Sequence, residues 1–423
     1  MISRSVTGAV LAMCLAGFAK IPAAEEATGQ QAPQSAAGSA VQYLPLGAPE
    51  GMSQAVIVPS QPLLHTRQLL ALDREGKLMG AGSVDQQIEQ VLDNLHAVLT
   101  SAGSGLNQLV RLNVYSLAPA TVGRVRELLS KRLAPGVRPT ITAVLTPLPH
   151  RQALVAVDAV AVLAAPASDA ASGPAVALQR CDAMAGDKDC ADVGILPRGG
   201  IAYLSGAPAE GGLTTSAVGK SMAILSKTLA QLQLSAAHVV HLKVFLRPAL
   251  SADEVRQELK RFFPGQITPP LVFVEWLAPP PVEIELIAQL PGADTATPSV
   301  QYYNPPDVSP LQIFSRVALV RSDRQIYTSG LFARAAGRGD DQARDVFAQL
   351  QSILAETGSD LRHLVKATYY ASDDEAARGF DRVRLALFAP DCPPAASKLM
   401  VHGVGQASRG LTMDLIAVGR SQP

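Results

Sequence analysis

The sequence predicts an α+β fold built three times along one chain, each copy a mixed sheet with two helices on one face. Three observations predict it. A two-strand stretch recurs as RPTITAVLTPLPHRQALVAVDAVAVL (138–163), PLVFVEWLAPPPVEIELIAQL (270–290) and ASKLMVHGVGQASRGLTMDLIAVG (396–419), with Asp158, Glu285 and Asp414 in the same place. A strand of one design precedes each: LVRLNVYSL from Leu109, VVHLKVFLR from Val239 and LVKATYYAS from Leu364. An amphipathic stretch comes before that strand in every copy, its apolar residues three and four apart. That spacing is helical, β-branched runs read as strands, and self-similarity on this scale marks repeated units.

Composition permits such a chain. Its 423 residues are 48% hydrophobic and 17% charged, enough to bury several cores, and at ~100–200 residues per domain they predict two to four domains. Lys+Arg and Asp+Glu both number 36, so no net charge draws the chain to nucleic acid or to an anionic membrane.

In chain order, the N-terminus has Arg4, an apolar stretch from Val6 to Ala19 and small residues before Glu25. This is the layout of a secretory signal peptide, placed at residues 1–24, and the stretch is short for a membrane span. The expectation is an exported protein, periplasmic or secreted, with no membrane span. Residues 25–41, rich in Gln, Ala and Ser, read as a flexible lead-in. Similar stretches at Ala164–Ala175 and Pro291–Pro310 separate the copies and place domains at 42–165, 176–290 and 308–420.

Within each copy the order reads ββ-α-β-α-ββ, α+β in class. The first helices carry stripes at Ile88, Leu92, Leu95 and Leu99, at Val218, Met222, Leu225, Leu229 and Leu232, and at Val346, Leu350 and Ile353. Second helices are expected at Ala120–Leu133, Ser251–Phe263 and Asp374–Phe388. Cys181 and Cys190 flank a polar loop and either close a small disulfide ring or stay free thiols, with Cys392 left over. The 7 histidines show no metal-ligand spacing, and the chain has neither a phosphate loop nor a G-x-S-x-G elbow. No metal and no cofactor are expected.

Each copy resembles the RidA/YjgF family, the reactive-intermediate (imine) deaminases. The residues that carry the resemblance are S-Q-A-V at Ser53–Val56, the strand ends YLSG at Tyr203–Gly206 and YTSG at Tyr327–Gly330, the helix and turn QVLDNLHAVLTSAGSGLNQLVRLNVY, and the final strands VDAVAV, VEIELIAQ and TMDLIAV. The resemblance implies the chorismate-mutase-like fold and a trimer with ligand clefts between neighbours. Three copies on one chain then imply an intramolecular pseudo-trimer, a monomer in solution.

The resemblance also implies a site. A strand-opening arginine clamps the substrate carboxylate, a last-strand glutamate positions water, and an aromatic residue and a Ser-Gly pair line the cleft. A guanidinium holds a planar carboxylate bidentately, and a carboxylate orients water towards a C=N carbon. Carried over, the first copy has Arg138, with Ala156 at the glutamate place, Met52 at the aromatic place and Thr66-Arg67 for the Ser-Gly pair. The second has Glu283 and Ser205-Gly206, with its arginine place near Thr268. The third has Phe314 and Ser329-Gly330, with Ser397 or Lys398 for the arginine and Thr412 for the glutamate. No copy holds the full set.

Asp158 is either a partner for Arg138 or a structural charge, the second favoured because every copy has an acid there. Arg67 either adds positive charge to its cleft or blocks it, and Lys398 stands in as a point charge. The candidate residues are therefore Arg138, Asp158 and Glu283 for chemistry, with Arg67, Ser205, Gly206, Phe314, Ser329, Gly330 and Lys398 for binding. Two functions follow. One is a protein that binds small carboxylate-bearing metabolites with its catalytic positions scattered; the other is an enamine/imine deaminase anchored by Arg138. A neutral chain with 4% aromatics offers no RNA platform.

Overall fold

The computed structural model describes residues 40–164, 175–209, 214–292, 299–306 and 312–420. Residues 1–39, with the expected signal segment and most of the lead-in, lie outside the described residues. The elements begin with β1 (Gln42–Leu44), β2 (Ala55–Pro59), β3 (Leu63–Thr66), β4 (Leu69–Leu70), α1 (Val84–Ser101), β5 (Leu109–Ser116), α2 (Pro119–Ser130), β6 (Thr140–Leu145) and β7 (Val155–Val162). Next come β8 (Ala177–Gln179), β9 (Val193–Leu196), β10 (Gly200–Ala209), α3 (Thr214–Gln231), β11 (Val239–Leu246), α4 (Ala252–Leu259), β12 (Leu271–Glu275) and β13 (Val282–Leu290). The last are β14 (Ser299–Tyr303), β15 (Val317–Arg321), β16 (Arg324–Thr328), α5 (Gly339–Glu356), β17 (Leu364–Ala371), α6 (Asp374–Leu387), β18 (Ala395–Met400) and β19 (Leu411–Val418).

Local chemistry accounts for the helices. Ser83 caps α1 by accepting the Gln86 amide at 3.4 Å, and Asp85 sits in the first turn, where the helix dipole favours an anion. Asp373 caps α6 in the same way through Ala376, at 2.8 Å. The predicted stripes are buried in all three long helices, save half-buried Leu232 just past the end of α3. Gly103 and Gly358, at φ +79° and +71°, supply the left-handed residue that ends α1 and α5.

The strands form three sheets: β6-β5-β7-β3-β9-β8 with β4 beside β7, β12-β11-β13-β10-β15-β14, and β18-β17-β19-β16-β2-β1. In each, the two recurrent strands are not a hairpin. β5 lies between β6 and β7, parallel to the first and antiparallel to the second, and the parallel pair is reached by the α2 crossover.

The opening hairpins join sheets one place back along the chain. β8 and β9 extend the first sheet and β14 and β15 the second, while β1 and β2 extend the third. The register is the same each time: Thr66 faces Val193, Leu204 faces Val317, and Thr328 faces Ala55. The first strands of the chain therefore complete its last sheet.

Each sheet packs an apolar core against its own helices. A further cluster draws on all three sheets, with Val110 and Val160, Tyr203 and Val240, and Val365 and Ile416 among its members. Burying each such side chain is worth about 1.5–3 kcal/mol, so the sheets' second faces hold one another. Backbone links tie the strand ends as well: Leu145 N–H to Gly403 O at 2.9 Å and Leu277 N–H to Met400 O at 2.8 Å.

Cys181, Cys190 and Cys392 are free, buried thiols. Among the described residues no helix is long and apolar enough to cross a membrane.

Candidate functional site

Three equivalent clefts lie where one sheet meets the next. Arg67, Ser205 and Ser329 mark them, each donating its amide at 2.9 Å to Asp192, Arg316 and Gln54 respectively. This register sets Arg67-Gln68 against the two Ser-Gly pairs, a residue later than the expected Thr66-Arg67. The acid place on the long strand holds Ala156, Glu283 or Thr412, facing Tyr115, Phe245 and Tyr370 on the neighbouring strand.

The cleft between the first and second sheets is crossed by Arg67 and Gln68. Arg67 Nε pairs with Asp192 at 2.5 Å and its NH2 reaches Ala185 O at 2.8 Å, while Gln68 Nε2 donates to Phe273 O at 2.9 Å. The Arg67 guanidinium is thus engaged within the protein by Asp192 and the Ala185 carbonyl.

The cleft between the third and first sheets is lined by hydroxyls. Ser329 Oγ accepts the Ile141 amide at 2.9 Å and donates to Ser53 O at 2.5 Å. A Cβ on Gly330 would lie 3.1 Å from Thr412 Oγ1 and 3.3 Å from Thr142. Arg138 stands at its rim, just before Pro139, whose carbonyl accepts the Ser53 amide at 3.2 Å. Arg138 is exposed and makes no ion pair with another described residue. The matching carbonyl in the next cleft is that of Pro394, which accepts from Ser315 at 3.0 Å. Pro393 thus holds the place of Arg138, and Ser397 and Lys398 lie further along β18.

The cleft between the second and third sheets is open, a cavity of about 590 Å³ lined by Gly206, Glu283, Phe314, Arg316, Ser397 and Lys398 together with Asp381 and Arg384. It gathers four predicted residues, Gly206, Glu283, Phe314 and Lys398, from different copies. Ser205 braces it from behind, accepting the Ala396 amide at 2.7 Å and donating to Ser315 O at 2.5 Å. Glu283 fits only because its neighbour is glycine: a Cβ at Gly206 would lie 1.8 Å from Glu283 Oε1. Where the acid is Ala156, the glycine place holds Gln68.

Burial lifts the Glu283 carboxyl to about 7, with the charge of Glu285 adding and Ser397, Lys366 and Arg316 opposing. Lys398 and Arg384 share Asp381, at 2.5 and 2.9 Å. Arg316 lies over the Phe314 ring, 5.1 Å from its centroid, and burial pulls its guanidinium down from the usual range. Arg316, Asp381 and Arg384 are not in the sequence-based set. The one signal for Arg316 is its spacing of two from Phe314, which puts both on one face of an extended segment.

Asp158 is elsewhere. It accepts Asn113 Nδ2 at 2.9 Å and Tyr115 OH at 2.6 Å, and burial raises its carboxyl. It faces a small central cavity of about 50 Å³ with Arg111, Lys243, Lys366, Glu285, Asp414, His65 and His241. The charges run between sheets: Arg111 pairs with Asp414, Lys366 with Glu285 at 2.5 Å, and Lys243 faces Asp158. Burial and Arg111 pull His65 down to about 4. Asp158 belongs to this structural network, apart from Arg138. Among the described residues no cluster of His, Cys, Asp and Glu could hold a metal.

The Endoribonuclease L-PSP family model matches residues 47–163 and 307–418, more than half of the chain. The chain belongs to this family. The stretch between the two matches joins them by its strand order, β10-α3-β11-α4-β12-β13. No curated protein matches. Among solved structures, this L-PSP chain is similar to a Rid-family protein of unknown function from Yersinia pestis, 26% identical over 29% of this chain and 98% of that one, TM-score 0.26. It is also similar to a YjgF-family member from Neisseria meningitidis, at 24% identity, 29% and 98% coverage and TM-score 0.23. Yeast Mmf1 matches at 22% identity, with 30% and 96% coverage and TM-score 0.21.

Proposed function

We propose that this L-PSP chain binds a small carboxylate-bearing metabolite in the cleft between its second and third sheets, within an intramolecular pseudo-trimer whose other two clefts have lost the acid. The observation that carries this reading is Glu283, a buried carboxyl lifted to about 7 in the wall of a cavity of about 590 Å³. Three cations, Arg316, Arg384 and Lys398, share that wall with two acids, Glu283 and Asp381. When Glu283 holds its proton the cleft is net positive and suits an anion.

The same residue supports a second reading, hydrolytic deamination of an enamine or imine. A carboxyl poised near neutrality suits general acid–base work. In that reaction Glu283 directs water to the C=N carbon of a 2-imino acid, which leaves as the 2-oxo acid and ammonia. Arg138, the anchor expected for this chemistry, stands at a different cleft. The layout of Arg4 and Val6–Ala19 supports export, which fractionation of expressing cells would check.

One experiment separates the readings. The chain lacking residues 1–24 is titrated with propanoate by calorimetry, and is also incubated with 2-iminopropanoate in the presence of semicarbazide as a competing trap. Binding without faster imine loss supports the first reading. Faster imine loss, abolished in Glu283→Gln, supports the second. Neither binding nor faster loss sinks both.

A further inference from the structure

We infer that Arg316 is the carboxylate anchor of the Glu283 cleft and that the ligand carries an apolar side chain, laid against Phe314, Ile313 and Leu385. This deepens the binding reading above and rests on it.

The backbone of Arg316 is held from both sides. Its carbonyl accepts the Ser205 amide at 2.9 Å, and its own N–H donates to Asn304 Oδ1 at 2.9 Å. The side chain is therefore presented from a fixed point, as an anchoring group must be. It lies half-buried over the Phe314 ring, 5.1 Å from the centroid. Among the described residues its guanidinium makes no hydrogen bond or ion pair, whereas Lys398 and Arg384 are both engaged by Asp381. A planar fork of N–H donors at the cavity wall is thus unengaged by any described residue, the kind of group that takes a carboxylate bidentately.

The other clefts make the contrast. The equivalent residues are Gln54, which is uncharged, and Asp192, which is spent on Arg67. A cation at this place occurs only beside Glu283, so the one cleft that keeps the acid also keeps an available anchor. The anchor comes from the residue just before β15 and not from the segment before β18, where Pro393 holds the place of Arg138.

The size and lining then select the ligand. A cavity of about 590 Å³ lies within the range that holds drug-sized molecules and is far larger than a three-carbon acid needs. Ile313, Phe314, Pro208 and Leu385 line it, and Leu385 is 56% exposed, an uncovered apolar side chain at the cavity wall. A carboxylate held at Arg316 can therefore turn an aromatic or branched aliphatic group against this wall. The ligand class is a small monocarboxylate with a bulky apolar substituent, such as a 2-oxo or 2-imino acid of that shape.

The test is calorimetric titration of the chain lacking residues 1–24 with 3-phenylpropanoate, propanoate and 3-phenylpropanamide. We expect 3-phenylpropanoate to bind at least about tenfold more tightly than propanoate, from the extra apolar area buried. The uncharged amide should bind at least about tenfold more weakly than the acid. Arg316→Leu should lose the preference for acid over amide, and Arg316→Lys should keep part of it. Equal binding of acid and amide by the unaltered chain overturns the anchor even if Arg316→Leu fails to fold, and so does an Arg316→Leu chain that keeps the preference. Equal binding of the two acids overturns the apolar substituent. An Arg316→Leu chain that keeps the preference, or equal binding of the two acids, leaves the cleft a carboxylate site; equal binding of acid and amide takes the binding reading down with the anchor. If no carboxylate binds at all, the inference and the binding reading fall together.

Discussion

Ser205 Oγ accepts the amide of Ala396 at 2.7 Å and donates to the carbonyl of Ser315 at 2.5 Å, so one buried hydroxyl joins β10, the segment before β15 and the edge strand β18 of the next sheet. Ser329 makes the same two bonds with Ile141 and Ser53. Replacing Ser205 by alanine leaves a buried donor and a buried acceptor without partners, which costs about 1–3 kcal/mol. Ser205→Ala and Ser329→Ala should therefore lose similar stability in urea unfolding. Only Ser205→Ala should also weaken carboxylate binding, because it is Ser205 that braces the cavity holding Glu283 and Arg316. Equal effects of the two variants on binding would contradict the assignment of the site.

The titration of Glu283 gives a prediction with a definite sign. Its carboxyl moves from 4.5 to about 7 on folding, so the folded chain holds a proton that the unfolded chain has already released. Stability must fall as pH rises between those two values and stay lower above the second. The size is on the order of 3 kcal/mol. Glu283→Gln removes this slope and leaves those of His65, Asp158 and the other groups. Urea midpoints for the two chains should converge at about pH 5 and separate by about pH 8, with the glutamine variant the more stable at the higher value. Parallel curves would mean that Glu283 is not buried as the structure places it.

The repeat, the helices and the acids at 158, 285 and 414 are legible in the sequence because they are written in local periodicity and side-chain type. The exchange of hairpins is not, since backbone hydrogen bonds are anonymous: AVIVP at Ala55–Pro59 can pair with LLHT beside it as well as with RQIYT at Arg324–Thr328. Arg67 shows how small an error matters. A slip of one residue along a strand exchanges its two faces, and the expected Thr66-Arg67 becomes Arg67-Gln68 against the Ser-Gly pairs. Arg316 was hidden for another reason, because the residues that make it an anchor, Ser205 and Glu283, belong to a different copy. The carboxylates of the central network could be read from the sequence, but the identity of each partner could not: Arg111, Lys243 and Lys366 each meet the acid of another sheet.

That network supports a prediction on the Lys366–Glu285 pair, which joins β17 to β13 at 2.5 Å with both side chains buried. Lys366→Met strands the Glu285 carboxylate with Ser397 Oγ, at 2.6 Å, as its remaining hydrogen-bond donor. Removing one member of a buried pair typically costs about 3–5 kcal/mol, while replacing both by apolar residues of similar volume is often close to neutral. Lys366→Met should therefore be much less stable than the unaltered chain, and adding Glu285→Leu should recover most of the loss. A double-mutant cycle of unfolding free energies checks this. Additive losses would show that the two groups do not interact as the geometry has them.

The last sheet depends on the first strands of the chain. β2 pairs with β16 from Pro59–Arg324 to Ala55–Thr328, and Ala55, Val56 and Val58 are at most 1% exposed. Tyr43, on β1, donates to Leu109 O at 2.8 Å and so reaches the first sheet as well. Removing residues 1–60 opens the edge of β16 and takes those side chains from two apolar clusters. At about 1.5–3 kcal/mol for each larger side chain, the loss is comparable with the ~5–15 kcal/mol that holds a domain together. The amides of Arg324–Thr328 should then lose protection from hydrogen exchange. Those of β11 to β13, whose sheet is completed by β14 and β15, should keep most of theirs. A synthetic peptide of residues 40–61 added in excess should restore the protection of β16, because the edge it leaves is the one it fits. Unchanged exchange at β16 after the deletion would mean that the third sheet is self-sufficient and that its closure by the N-terminal hairpin carries no stability.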